Sequence, residues 1–186
     1  MDGEPIPGRE CGSCNVCCVA LTINDPELQK VQGYRCKNAL PDNSCAIYPT
    51  RPQTCRRFNC GWRLLKWVKP TLRPDRSGVL VRLQRHRNEQ VGIIIMLLNR
   101  AALKAEGLAE TVAAAVAAGF PVHLHIPGPP GYTSAQARID GALADAVAVR
   151  DKGAVLEILR QARRQGRAGD TVPIRLKPRD APAPPG

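Results

Sequence analysis

The chain has 186 residues, with 27 Lys and Arg against 16 Asp and Glu, a formal net charge of +11 and a pI near 9.7. That length suits one ordinary domain, or a small cross-linked module joined to a modest core-forming one. The longest apolar stretch, Val91 to Leu98 broken by Gly92, is far too short to span a bilayer, so a membrane-spanning helix is excluded.

All eight cysteines fall in the first third: Cys11, Cys14, Cys17, Cys18, Cys36, Cys45, Cys55 and Cys60. This region, residues 1–75, has few contiguous apolar runs and many turn formers, such as Asn24-Asp25-Pro26 and Pro41-Asp42-Asn43. A segment this small and polar rarely folds without metal or disulfides. Asp25 and Pro26 predict a short helix over Pro26 to Val31, and Arg73 to Gly78 is a polar turn cluster that marks the end of the module. Beyond it, residues 76–169 read as an α+β region. Val79 to Gln84 alternates in strand fashion, and Val91 to Leu98 is a β-branched run suited to a buried strand paired antiparallel with it. Asn99 caps a predicted helix to Ala118, Gly119 ends it, and Val122 to Ile126 is a further strand. From Ser134 a helical pattern runs to Gln165 with a break near Asp151-Lys152-Gly153. Residues 170–186 form a mostly disordered tail in which Val172 to Leu176 is a candidate edge strand. The fold class is thus α+β: a small metal-stapled cysteine-rich module followed by a small sheet with packed helices.

Two thiols separated by two residues turn toward a common point, which is what a tetrahedral ion or an iron–sulfur cluster requires. A disulfide framework is the alternative. The first residues, MDGEPIPGRECGSC, show no basic flank leading into an apolar run, so the expected setting is a reducing cytoplasm, where clustered cysteines bind metal more often than they pair. Thiolates suit Zn²⁺, Cu(I) and iron–sulfur clusters. The Cys17-Cys18 doublet is awkward for one small ion, because neighbouring side chains diverge. A redox use of Cys11 and Cys14 lacks the preceding strand that such a motif normally follows.

CGSCNVCC followed by CAIYPTRPQTCRRFNC is similar to the C-x-x-C-x-x-C-C family of bacterial zinc- or iron-chelating proteins, often called YkgJ-like. The similarity covers about the first sixty residues and says nothing of the region after Ser77. It implies metal chelation, with Cys11, Cys14, Cys17, Cys18, Cys36, Cys45 and Cys55 as ligands. Cys60 stands at a more variable position of the pattern and completes the set of candidate metal residues.

From Arg51 to Arg87 there are eleven Lys or Arg residues against Asp75 alone. A divalent ion held by four thiolates has a formal charge of about −2, so this excess is expected to balance and brace a metal site. The same residues, with Tyr48, Phe58, Trp62 and Trp67, fit a nucleic-acid surface, a partner class that is weighed but not favoured. The aromatics are expected to form a small core beside the metal. His123 and His125 share a strand face, where packing is a more frequent role than ligation. No catalytic motif appears. The expected function is metal binding, with zinc or iron, including an iron–sulfur cluster, as cofactor. The alternatives are an iron–sulfur electron carrier or enzyme and a nucleic-acid-binding adaptor with structural zinc.

Overall fold

The computed structural model describes residues 4–85, 90–167 and 171–176. It is an α+β protein whose centre is a four-stranded mixed sheet. The order is β3 (Val79–Arg85), β4 (Val91–Leu97), β5 (Val122–Ile126) and β6 (Ala135–Arg138). β3 pairs antiparallel with β4, from Val79 opposite Leu97 to Arg85 opposite Val91. β4 and β5 run parallel, and the crossover a parallel pair needs is supplied by α5 (Leu108–Ala117). β6 closes the sheet antiparallel to β5. Ile93 to Leu97 are all buried, as a strand covered on both faces demands. α6 (Asp140–Ala148) and α7 (Lys152–Arg167) complete the helical layer, with the expected break between them.

Four elements differ from the sequence expectation, each for a local reason. Pro26 to Val31 is not helical: β1 (Ile23–Asp25) and β2 (Leu28–Lys30) form a hairpin. The Asp25 carboxylate accepts a hydrogen bond from the Glu27 amide across the tight turn (3.0 Å), and Leu28 and Lys30 are buried on either side of the more exposed Gln29. The period of two prevails over the helix-start signal. The helix after Asn99 is interrupted. Asn99 caps only a 3₁₀ turn (Ala101–Lys104), with its Oδ1 accepting from the Ala102 amide, and α5 starts after Gly107 at φ +83°. That interruption serves the preceding loop: Thr71 donates to the Glu106 carbonyl (2.9 Å) and the Lys69 amide to Thr111 Oγ1 (3.2 Å). Residues 135–138 are strand rather than helix, with Ala135 buried against the core and Gln136 and Arg138 outward. Val172 to Leu176 makes a bridge, Pro173 opposite Tyr132, rather than a strand. Proline offers no amide for a ladder. Residues 177–186 lie outside the described residues.

The cysteine region carries α1 (Val16–Ala20), α2 (Gln53–Arg57), α3 (Gly61–Leu64) and α4 (Pro74–Ser77), all short. Its packing runs on into the sheet. Leu21, Cys60, Trp62, Val68 and Leu72 belong to the same buried cluster as the strands and helices that follow Ser77. Phe58 and Trp67 pack against this cluster, and Trp67 stacks on Phe120, whereas Tyr48 is 53% exposed and lies outside the expected aromatic core. Gly61 makes a close contact with the sheet. A Cβ there would stand 2.6 Å from Val81 Cγ1 and 3.0 Å from Val81 Cβ, and a β-branched neighbour cannot swing aside. We therefore predict that Gly61→Ala destabilises the fold by roughly 1–3 kcal/mol through overpacking. In denaturant titrations Val81→Ala should relieve much of this, so that the double variant is more stable than the sum of the two changes.

Candidate metal centre

The eight cysteines come together. Cys11, Cys14, Cys17, Cys18, Cys36, Cys45, Cys55 and Cys60 all line one cavity of ≈ 260 Å³ beside Leu80 of β3, and all are free thiols. Cys11 and Cys14 sit in a turn closed by the Cys14 amide donating to the Cys11 carbonyl (2.8 Å). Cys17 and Cys18 lie on α1. The Cys36 amide donates to the Cys18 carbonyl (2.9 Å), and Cys45 bridges to Ala39. Cys55 is on α2, and buried Cys60 precedes α3 in extended conformation. Pro49 and Pro52 fix φ at two positions of the segment between Cys45 and Cys55.

Basic side chains hold these loops by their carbonyl groups. Arg9 Nη1 donates to the carbonyls of Trp62 (2.7 Å), Leu65 (3.3 Å) and Val68 (3.0 Å), and its guanidinium lies over the Trp62 ring. Arg63 Nε answers with the Arg9 carbonyl (3.0 Å). Arg73 pairs with Asp75 (3.0 Å) and donates to the Cys11 carbonyl (2.8 Å). Lys30 is buried, its ammonium donating to the carbonyls of Val19, Leu21 and Val31. Arg51 lines the cavity, stacked on Tyr48 with 3.9 Å from its guanidinium carbon to the ring centroid. Its Nε is buried with no hydrogen-bond partner among the described residues. The basic stretch is therefore dispersed. Arg51, Arg63 and Arg73 face the cysteine region, Arg82 is half-buried on the sheet, and Arg56, Arg57, Lys66, Lys69, Arg76 and Arg85 are exposed. Arg87 lies outside the described residues.

Lys30 and Arg9 are absent from the sequence-derived list. Lys30 is visible in principle, since a strand reading would place it on the buried side with Leu28. Nothing local marks Arg9, whose partners lie more than fifty residues away.

The thiols differ in acidity. Cys17 and Cys18 share a side-chain hydrogen bond, which raises Cys17 well above the ordinary thiol range, with burial adding to it. The same bond lowers Cys18 to about 6, against the opposing effect of burial and helped by Lys30, Arg51 and Arg35. Burial raises Cys14, Cys55 and Cys60. It also pulls the Lys30 ammonium down, while Cys36 and Cys18 pull it up.

Among the described residues no three His, Cys, Asp or Glu side chains already surround a point closely enough to hold an ion. The thiols ring a cavity instead. His123 and His125 are far from this role. His125 is 6% exposed, and burial, the Arg82 guanidinium and His123 hold it neutral, with its pKa near 4. Among the described residues no helix is long and apolar enough to cross a membrane.

No protein-family model, curated protein or solved structure matches this chain.

Because the thiolate is the reactive form, alkylation should follow these acidities. In metal-free protein Cys18 should react with iodoacetamide fastest, with a rate that rises with pH through a midpoint of about 6. Cys17→Ala removes the hydrogen bond that stabilises the thiolate, so the midpoint should move up. Site-resolved mass spectrometry checks both, and a Cys18 midpoint in the ordinary thiol range would contradict the assignment.

Proposed function

We propose that this chain is a cytoplasmic metal-binding protein that chelates zinc or iron through its clustered cysteines, as its resemblance to the YkgJ-like family implies. One observation carries the reading: eight thiols from separate loops and short helices line a single cavity, and no Asp, Glu or His is among the described residues that line it. Such a donor set excludes hard ions and favours zinc or iron–sulfur chemistry. Metal, when bound, supplies the positive charge that lets the thiolates stand close together.

The chain's own residues do the rest. Arg9, Lys30, Arg63 and Arg73 fix the loops by their carbonyls, and Arg51 presents a guanidinium to the cavity. An ion would be held by thiols of the loops and of α1 and α2 turned toward a common point. The dispersal of the basic residues supports bracing over a continuous phosphate-tracking surface, so a nucleic-acid adaptor has less support than chelation.

Elemental analysis of protein purified without oxygen tests the proposal. The expected result is zinc or iron in whole-number ratio to the chain, brown with a broad visible band if an iron–sulfur cluster is present and colourless if zinc is. Protein that contains neither, and that takes up neither on anaerobic reconstitution, would refute it.

A further inference from the structure

Resting on that metal-binding reading, we infer that the cavity holds two separate tetrathiolate centres, each for one thiophilic divalent ion. Cys11, Cys14, Cys17 and Cys60 build the first; Cys18, Cys36, Cys45 and Cys55 build the second. Hydrogen bonds group Cys11 and Cys14 with Cys60, and Cys18 with Cys36 and Cys45. The segment carrying Cys11 and Cys14 is tied to the segment after Cys60 by Ile6 N donating to the Arg63 carbonyl (2.8 Å), by Arg63 Nε on the Arg9 carbonyl, and by Arg9 on the Trp62 carbonyl. The remaining loops are tied to one another. The Cys36 amide donates to the Cys18 carbonyl (2.9 Å), the Ala39 amide to the Cys36 carbonyl (3.0 Å), and Ala39 bridges to Cys45.

The electrostatic neighbours of the thiols fall along the same line. Cys60 interacts with Cys11 and Cys14, and Cys17 with Cys11 and Cys14 as well as Cys18. Cys55 interacts with Cys18, Cys36 and Cys45. The doublet is the seam. Successive residues of a helix point about 100° apart, so Cys17 and Cys18 on α1 can serve different ions while their sulfurs stay adjacent. This resolves why two neighbouring cysteines occur in a ligand cluster at all: each belongs to a different set of four. Cations flank both centres, with Lys30, Arg51 and Arg35 near Cys18, Lys30 also near Cys17, and the Arg73 guanidinium on the Cys11 carbonyl.

The test uses the parent chain, stripped of metal, reduced with a phosphine and kept anaerobic. Zn²⁺ is added in steps, free thiols are labelled with iodoacetamide, and labels are mapped by mass spectrometry. Saturation is expected at two Zn²⁺ per chain with all eight thiols protected. At one equivalent, chains with four protected thiols should carry protection on one set or the other. As a second arm, Cys45→Ser and Cys60→Ser should each lower binding from two ions to one, and the double variant should bind none. Saturation at a single ion, protected sets that mix the two groups, or chains that are only wholly protected or wholly labelled would overturn the division while leaving chelation standing. No Zn²⁺ uptake at all would remove the metal-binding reading with it.

Discussion

Eight thiol groups facing one cavity impose an electrostatic constraint on everything around them. Burial raises the pKa of Cys14, Cys55 and Cys60, the hydrogen bond with Cys18 raises that of Cys17, and repulsion from neighbouring thiolates adds to both, so as free groups they stay protonated. Positive charge is needed nearby, and the chain supplies part of it with Lys30, Arg51 and Arg35 beside Cys18. On the chelation reading, bound metal supplies the rest. The structural zinc of a zinc-finger peptide contributes about 10–16 kcal/mol of apparent binding free energy, comparable to or greater than the net stability of many domains. A region with short helices, one small hairpin and long loops is the kind that depends on such a contribution.

The loops are also held from outside, and by cations more than by ladders. Few regular ladders cross this region, so basic side chains serve as clasps on backbone carbonyls: Arg9 spans Trp62, Leu65 and Val68, and Lys30 gathers Val19, Leu21 and Val31. Burying an ammonium is unfavourable unless its donors are satisfied, and these carbonyls satisfy it. The sheet then gives the loops a fixed wall. Alternate residues of β3 point to opposite faces, with Leu80 lining the cysteine cavity and Val81 against Gly61. The core runs on from Cys60 through Leu72 into Val79 to Val81, so the cavity is seated against that wall.

Much of the sheet was legible because its strands carry their own signals. Val79 to Gln84 alternates and Ile93 to Leu97 is a run of large apolar residues, so both identify strands without knowledge of their partners. The cysteines were legible as a group through their spacing. The division proposed for them was not, because it depends on which loop lies beside which, and the hydrogen bonds that support it join residues as distant as Arg9 and Trp62. Local competition explains the remaining differences. At Asp25-Pro26 the same residues that begin helices also make tight turns, and burial of Leu28 with Lys30 decides for the hairpin. At Ala135 to Arg138 an Ala-rich sequence with high helix propensity becomes strand because β5 offers an unpaired edge, which is a tertiary effect invisible to propensity.

The central claim is that ligation by the cysteines holds the loop region around its cavity while the sheet stands on its own packing. Amide hydrogen exchange on metal-loaded protein, and on the same protein after verified removal of the metal by a chelator, tests it most directly. Amides that close the cysteine loops, such as those of Cys14, Cys36 and Ala46, should lose protection on removal, while those of β4 and β5 keep theirs. Unchanged exchange across the cysteine loops after the metal has gone would contradict the account.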